Sequence, residues 1–304
     1  MTNAASIKAR LNNKARSGKK NFQEVLIAYG LERSIYRLSV SEYAENLILK
    51  GGVFLYALFE CEFTRATSDI DLLAKNISND ITEIGEVFKK IFSIECDDAI
   101  RYDLETLKVK SITEFKEYHG VNVSVFAYLD RTRIPVSVDI GFGDIICPDK
   151  VKMIFPVLLD MEQPEIYAYS ISSVVAEKFE AIVSLGDANS RYKDFYDIYM
   201  LAGRYDIDGM ELSESMRETF AHRGTGFEDM YALTDAFSES KIHQRRWMAF
   251  LNKKRAMVNV EFEAVIVLLR TFLLPVVDSI VEGREYMLKW DANLQKWDEQ
   301  LEKT

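Results

Sequence analysis

Residues 50–72 read KGGVFLYALFECEFTRATSDIDL, with a double glycine at Gly51-Gly52 and an Asp-x-Asp pair at Asp69 and Asp71. The apolar run after the glycines is typical of a helix, and Asp69 to Ala74 is typical of a strand. Residues two apart on a strand point to the same face, so the two carboxylates lie about 7 Å apart along it. They could share Mg²⁺, a hard cation that prefers oxygen ligands. Glycines that open a helix let the backbone approach a phosphate, so this segment predicts a site for a nucleoside triphosphate (NTP) and its metal.

A third acid, Asp139, ends the alternating part of the run Val136-Ser137-Val138-Asp139-Ile140. Ser137 and Asp139 share one strand face, opposite the three apolar side chains. That face could simply be exposed to solvent. Beside the strand of Asp69 and Asp71, however, the third carboxylate would complete a metal site, and we favour this interpretation.

A second Asp-x-Asp pair shows how little the short pattern proves alone. Asp206-Ile207-Asp208 follows a helical run and precedes Gly209. Because glycine commonly interrupts regular structure, we interpret this second pair as a loop or a helix end.

Composition limits the class of protein. The chain has 304 residues, is 48% hydrophobic and carries a net charge of −10, so it can bury a sizeable core, and its length suggests two subdomains. Three scattered cysteines argue against a zinc site or a disulfide framework. The amino terminus lacks the apolar segment of a signal peptide. The apolar segment Val265 to Leu274 is flanked or broken by Arg270 and Pro275 and is too short to cross a bilayer, so we expect a cytoplasmic protein without membrane contact.

The pattern of apolar residues predicts an α+β half followed by an all-helical half. Ala5 to Tyr29 reads as one basic amphipathic helix, and Ser41 could cap a second helix with Tyr43, Leu47 and Ile48 on its apolar face. The expected fold is a mixed sheet flanked by helices in residues 1–165 and a helical domain in residues 166–304. Further predicted elements are a helix over 81–91 and strands over 100–113, 122–128 and 134–140.

Basic residues cluster in two places in this acidic chain, which favours contact with nucleic acid. A solvated helix explains the first cluster equally well. Trp247 in the second cluster could stack on a base, although such a tryptophan is more often part of a helix core. The clusters are Lys8, Arg10, Lys14, Arg16, Lys19 and Lys20, and Arg245, Arg246, Lys253, Lys254 and Arg255.

Charged residues also mark two helical segments in the second half. Lys178 lies within the helix predicted from Ser172 to Leu185, and Asp194 and Asp197 are three apart, so they share one helix face. Lysine is a good partner for a triphosphate, but by spacing alone these side chains are more typical of solvent-exposed ion pairs.

Four motifs follow one another over about residues 45–202. They are Leu49-Lys50-Gly51-Gly52, then Arg65-x-Thr67-x-Asp69-Ile70-Asp71-Leu72, then Val138-Asp139-Ile140-Gly141, and last Ala176-Glu177-Lys178 with Arg191-x-Lys193-Asp194-x-x-Asp197. The series resembles the AbiEii/AbiGii toxin family of bacterial nucleotidyltransferases. Residues after about 205 contribute no motif to the resemblance.

The resemblance implies a polymerase-β-like nucleotidyltransferase core with a helical carboxy-terminal domain. It implies a Mg²⁺-dependent toxin of a type IV toxin–antitoxin or abortive-infection system active in phage defence, with a separately encoded antitoxin. Its acceptor would be RNA, with the tRNA 3′ end expected. Asp69, Asp71, Lys178 and Asp194 fall on positions that are essential in the family, and Asp139 takes the place of the third acid of the wider superfamily.

The chain departs from the superfamily where Gly-Ser is replaced by Gly51-Gly52-Val53. A hydroxyl for the phosphate would then come from Thr67 or Ser68, while the amides of the two glycines cradle the phosphates. Arg65 could bind phosphate or pair with a carboxylate, the second being the commoner fate of such an arginine.

Roles follow from the chemistry of nucleotidyl transfer, which depends on charge neutralisation and in-line positioning. Asp69 and Asp71 would hold Mg²⁺, and Asp139 would hold a second metal or accept the proton of the attacking 3′-hydroxyl. Lys178 would neutralise charge on the leaving pyrophosphate, and Asp194 would orient Lys178.

Three other functions fit the same motifs. The acceptor could be the hydroxyl of a small molecule such as an antibiotic. It could also be a protein side chain. In a third alternative, the chain is a nucleotide-binding interaction module without turnover.

Overall fold

The structure is a computed structural model that describes residues 3–59, 68–114, 118–254 and 258–299. The chain forms two compact units. The first unit comprises Met1–Gly143 and Val151–Ala168, and the second comprises Asp144–Lys150 and Tyr169–Thr304. Each unit is described by itself below.

The first unit combines helices with strands. Its elements are α1 (Ala4–Ser17), α2 (Phe22–Ser39), β1 (Leu47–Lys50), α3 (Gly51–Leu58), β2 (Ile70–Ala74), α4 (Ile81–Phe92), β3 (Ile100–Glu114), β4 (Tyr118–Leu129), β5 (Thr132–Phe142), β6 (Val151–Ile154) and β7 (Glu165–Ala168).

In the described part of this unit, seven strands form one mixed sheet in the order β3-β4-β5-β2-β1-β7-β6. The pairs β2–β5 and β1–β7 are parallel, and the other neighbours are antiparallel. The inward faces of β4 and β5 alternate as the sequence predicts, with Val121, Val123 and Val125 buried opposite polar neighbours. Helices α2, α3 and α4 pack on this sheet and complete the core.

The amino-terminal basic segment forms two helices, so the prediction of one helix from Ala5 to Tyr29 is wrong. Helix α1 ends at Ser17, Lys19 adopts a positive φ of 50°, and the Asn21 side chain caps α2 by accepting the N–H of Gln23 at 2.8 Å. The Asn cap supplies a partner that a continuous helix would not need, which explains the break.

The segment after Ser41 is also different from the prediction. Ser41 does not cap a helix: residues 41–46 are turns, and Leu47–Lys50 is strand β1. Leu47, Ile48 and Leu49 are all buried, and because successive side chains of a strand point to opposite faces, both faces of β1 are covered. A strand buried on both faces gives an uninterrupted apolar run, which sequence periodicity does not separate from a buried helix.

The second unit is mainly helical and ends in a small hairpin. The strands among its described residues form a separate three-stranded sheet. The elements are α5 (Ile171–Leu185), α6 (Tyr192–Ala202), β8 (Ile207–Asp208), α7 (Gly209–Arg223), α8 (Asp235–Ser238), α9 (Lys241–Lys254), α10 (Phe262–Val281), β9 (Leu288–Asp291) and β10 (Lys296–Glu299).

Helix α10 continues through Arg270 and Pro275 for 20 residues, so the expectation that this apolar segment is too short to cross a bilayer is wrong. Among the described residues it is the one helix long and apolar enough to cross a membrane by length and composition. Half of the apolar stretch of α10 is buried within the protein, and the helix packs against α6 and α7. These contacts are those of a core helix.

The second Asp-x-Asp pair has a structural role, as predicted. Asp208 caps α7 by accepting the N–H of Glu211 at 3.0 Å, and Asp206 accepts the N–H of Ala292 at 3.1 Å. The predicted α+β class, with a mixed sheet flanked by helices and a helical carboxy-terminal region, is confirmed.

Candidate active site

Three carboxylates meet on adjacent strands of the first unit. Asp71 in β2 lies directly opposite Asp139 in β5 in parallel register, and Asp69 immediately precedes β2. One ligand oxygen from each residue lies within 4.8 Å of the other two. The sequence prediction that these acids converge is borne out by this geometry, and three hard oxygen donors at this spacing could hold a divalent cation.

Both glycines of the pair contact the side chain of Asp71. The backbone N–H of Gly52 donates a hydrogen bond of 3.0 Å to Oδ2 of Asp71. Gly51 adopts a φ of +68°, and a Cβ there would lie 2.0 Å from Asp71 Oδ2 and 2.6 Å from Asp71 Cβ. Only glycine fits this position, because the conformation is left-handed and the carboxylate occupies the space of a side chain.

Burial raises the pKa of Asp71 above its ordinary value. The hydrogen bond from Gly52 and the charge of Lys50 lower it, whereas the charges of Asp69 and Asp139 raise it further. Crowded carboxylates repel one another, so a cation would relieve the repulsion that raises this pKa. The electrostatics of the triad therefore fit a metal ion.

Asp139 is held by a side chain that the sequence did not single out. Asn122 lies opposite Asp139 in the antiparallel register of β4 and β5, and its Nδ2 donates to Asp139 Oδ1 at 2.6 Å. The same amide donates to Oγ of Ser137 at 2.8 Å. Asn122 could have been found from the sequence only by fixing the register of the β4–β5 hairpin.

Asp69 is bonded by its neighbour. The hydroxyl and the backbone N–H of Ser68 donate to Asp69 Oδ1 at 2.7 and 3.1 Å. Ser68 therefore contacts an acid of the triad in this structure. Arg65 and Thr67, the other predicted nucleotide-binding residues, lie outside the described residues.

A second charged cluster lies in the second unit, between α5 and α6. Lys178 of α5 donates to Asp194 at 3.0 Å and to Asp197 at 2.7 Å, and Arg191 donates to Asp194 at 2.7 Å. The side chains of both aspartates are fully buried, and that of Lys178 is 11% exposed. Spacing alone favoured solvent-exposed ion pairs here. The structure shows a buried network instead, because α5 packs on α6.

The charges of this network oppose the cost of burial. Burial pushes the pKa of Asp194 up, but Lys178, Arg191 and Lys193 pull it down more strongly, so its pKa is lowered overall. The anionic form of Asp194 is therefore favoured, in contact with the ammonium group of Lys178. Asp197 contacts the same ammonium group from the next turn of α6.

In the second basic cluster, the tryptophan is buried, and the cations whose side chains the structure describes are exposed. Trp247 is 1% exposed, donates from its indole N–H to the carbonyl of Val260 at 2.7 Å and packs on Phe262. It is thus a core residue, and stacking on a base is excluded for it. Arg246 and Lys253 lie on the surface of α9, and Arg255 lies outside the described residues.

Acidic residues on neighbouring strands of a mixed sheet, with a glycine pair fitted to one of them, are compatible with the metal-dependent chemistry of a nucleotidyltransferase. The chain belongs to the nucleotidyl transferase AbiEii toxin family of type IV toxin–antitoxin systems, whose family model matches residues 33–266. This confirms the predicted resemblance and the enzyme class, and membership implies a separate antitoxin.

Solved structures give a more distant likeness. The chain is similar to JHP933 from Helicobacter pylori, with a TM-score of 0.47 and 13% identity, over 84% of this chain and 95% of that chain. It is also similar to an H. pylori protein provisionally assigned as a nucleotidyltransferase, with a TM-score of 0.44 and 13% identity, over 84% of this chain and 96% of that chain. No match is found among curated proteins.

Proposed function

We propose that this toxin transfers nucleotides from an NTP to RNA, at the 3′ end of tRNA, and that Mg²⁺ held by Asp69, Asp71 and Asp139 is required. The observation that carries the proposal is the convergence of these three carboxylates within 4.8 Å. When bound, Mg²⁺ supplies the positive charge that binds the triphosphate and offsets charge that develops in the transfer. Either one or two ions fit the proposal.

The chain's own residues divide the remaining work. Asp139, which accepts a hydrogen bond from Asn122, accepts the proton of an attacking 3′-hydroxyl or contributes to a second metal site. Gly51 and Gly52 hold Asp71 in position, and backbone amides at the start of α3 bind phosphate oxygens. Lys178, oriented by Asp194, neutralises phosphate charge as pyrophosphate leaves.

The RNA part of the proposal rests on the distribution of positive charge. The net charge is −10, yet α1 presents Arg10, Lys14 and Arg16 on one helix, and a further group of cations lies on α9. Phosphate backbones are attracted to such surfaces in a strongly salt-dependent manner. With a separate antitoxin implied by the family, we infer that the protein acts in the cytoplasm and arrests growth during phage infection.

The decisive experiment uses the two Asp-x-Asp pairs of the chain as test and control. The purified protein is incubated with each labelled NTP, Mg²⁺ and total tRNA, and the same is done with D69N/D71N and D206N/D208N. Both double variants remove two negative charges, but only the first pair belongs to the triad. Asparagine still caps a helix, so D206N/D208N should fold and label tRNA like the unaltered protein.

Label on tRNA that is lost only in D69N/D71N supports the proposal. Label on a small molecule or on a protein band would identify a different acceptor for the same chemistry. Equal labelling by both double variants would remove the triad from the active site. Absence of transfer to any acceptor, despite NTP binding, would favour a binding module without turnover.

A further inference from the structure

An open groove of about 600 Å³ lies on the surface of the second unit, at the start of α6 and along α9. Four of its lining residues are cationic, namely Arg191, Lys193, Arg246 and Lys253, and none of the lining residues is acidic. In a protein with 48 acidic and 38 basic residues, a groove with this composition is selective for anions.

The cations of the groove come from two helices, α6 with the residue before it and α9. Arg246, Phe250 and Lys253 recur at i, i+4 and i+7, so they share one face of α9. At 1.5 Å per residue, Arg246 and Lys253 are separated by about 10 Å along the helix axis. This spacing fits a chain of phosphates, which can contact the cations in turn.

Phe250 adds an apolar ring between these cations. Its ring is half-buried, held at 5.8 Å from the ring of Tyr196 and at 5.6 Å from that of Trp247. A fixed aromatic ring beside a track of positive charge is the arrangement that binds unpaired nucleotides, since the base stacks while the backbone follows the cations.

Arg191 connects this groove with the buried network of the same unit. Its guanidinium lines the groove, and its Nε donates to Asp194, which binds Lys178. A phosphate at the Arg191 end of the groove would therefore lie one side chain away from the carboxylate that orients Lys178.

We propose that the groove formed by Arg191, Lys193, Arg246, Phe250 and Lys253 binds a single-stranded segment of the RNA acceptor. Phosphates lie along the four cations, and one base stacks on Phe250. This inference rests on the proposed function for the identity of the acceptor. It goes further in assigning the RNA to a defined surface of the second unit.

The test measures binding of a labelled single-stranded oligoribonucleotide, and of tRNA, by fluorescence anisotropy at several salt concentrations. The test variant is R246E/K253E. The matched control is K241E/K289E, which makes the same change in charge at two exposed lysines of the second unit outside the groove. Thermal melting of all three proteins verifies that they fold.

We expect R246E/K253E to bind both RNAs at least tenfold more weakly, and K241E/K289E to stay within about twofold of the unaltered protein. Each lost phosphate contact removes about 0.7 from the slope of log affinity against log salt for single strands, so the slope should fall by about 1.4. A separate F250A variant should weaken binding by about 5–150-fold without changing the salt slope.

The outcomes separate this inference from the proposed function. If the unaltered protein labels tRNA and R246E/K253E binds RNA normally, the groove is not the RNA-binding surface, but the proposed nucleotidyl transfer to RNA is supported. If R246E/K253E loses RNA binding but the unaltered protein transfers no nucleotide to RNA, the groove stands and the function is wrong. The proposed role of the groove would be overturned if R246E/K253E lost NTP binding but kept RNA binding. It would also be overturned if R246E/K253E lost only its binding to the antitoxin, or if the unaltered protein did not bind RNA.

Discussion

Gly51 and Asp71 occupy complementary space: a Cβ at Gly51 would lie 2.0 Å from the Oδ2 of Asp71. The next residue, Gly52, donates its N–H to the same oxygen. The turn that opens α3 therefore fixes the position of one carboxylate of the triad. In this structure, the double glycine contributes to the acid site as well as to the backbone that was predicted to bind phosphate.

The first prediction concerns the substitution G51A. The added methyl group would clash with the carboxylate of Asp71, and alanine would have to adopt a left-handed φ. We therefore expect a loss of stability of about 3 kcal/mol and loss of nucleotidyl transfer. The matched control is G143A, since Gly143 also has a positive φ, of 86°, but has open space where a Cβ would lie. It should cost only about 1 kcal/mol and retain transfer. Urea unfolding and the tRNA-labelling assay check both, and equal effects of the two substitutions would refute the steric account.

The second prediction concerns Asn122. Removing its amide in N122A deletes a 2.6 Å hydrogen bond to Asp139, so the carboxylate is less well oriented. Loss of such an outer contact typically costs about 10–100-fold in metal affinity or activity. We expect N122A to need a higher Mg²⁺ concentration for half-maximal transfer. S137A removes the other partner of the Asn122 amide but keeps its bond to Asp139, so its Mg²⁺ dependence should match that of the unaltered protein.

The acid site was largely predictable from sequence because its parts are local or follow strand alternation. Asp69 and Asp71 are two residues apart, and Asp139 lies on the polar face of a strand whose alternation is regular. What alternation does not reveal is which residues of different strands face each other. The contact of Asn122 with Asp139 depends on cross-strand register, and the fit of Gly51 to Asp71 depends on the exact turn between β1 and α3.

The burial of several residues could not be predicted from the sequence. Strand β1 was interpreted as part of a helix because both of its faces are apolar, and in the fold both faces are buried. Lys178, Asp194 and Asp197 resembled ordinary surface charges because nothing in their spacing records the packing of α5 on α6. The break between α1 and α2, by contrast, had a local signal in Gly18 and Asn21 that helix periodicity outweighed.

The third prediction concerns Lys178. K178A would leave two buried carboxylates without this ammonium group, so we expect it to destabilise the protein by about 3 kcal/mol as well as to relieve toxicity. Loss of toxicity in K178A could then reflect poor folding alone. The measurement is growth on induced expression, combined with the amount of soluble protein and its melting temperature.

A double variant separates the two causes. K178M/D197N removes the ammonium together with one of the two carboxylate charges it compensates, while Arg191 still contacts Asp194. Replacing both members of a buried pair costs much less than removing one. We expect this variant to fold more stably than K178A and still to be harmless. Toxicity of a well-folded K178M/D197N would remove Lys178 from the chemistry.

The fourth prediction concerns Glu32, a buried acid of α2 remote from the triad in sequence. Its Oε2 accepts the N–H of Leu158 at 2.6 Å, and its Oε1 lies 3.0 Å from Nε of Arg33. Burial raises the pKa of Glu32 from 4.5 to about 7, although the charge of Arg33 and the bond from Leu158 act in the opposite direction. The carboxyl group is thus protonated in the folded state under mildly acidic conditions in which the unfolded chain is already ionised.

The sign of the pH effect follows from that difference. Between pH 4.5 and about 7 the folded state binds one more proton than the unfolded state, so the stabilising contribution of Glu32 is full below pH 4.5 and is lost as the pH rises through about 7. Over that range the free energy of unfolding should fall by about 3 kcal/mol from this group, and E32Q, which cannot ionise, should lack the fall. Urea unfolding at pH 5 and pH 8 measures the difference between E32Q and the unaltered protein. The control E86Q, at an exposed glutamate of α4, should show the same change in the free energy of unfolding between the two pH values as the unaltered protein. If E32Q also showed that change, the raised pKa of Glu32 would be refuted.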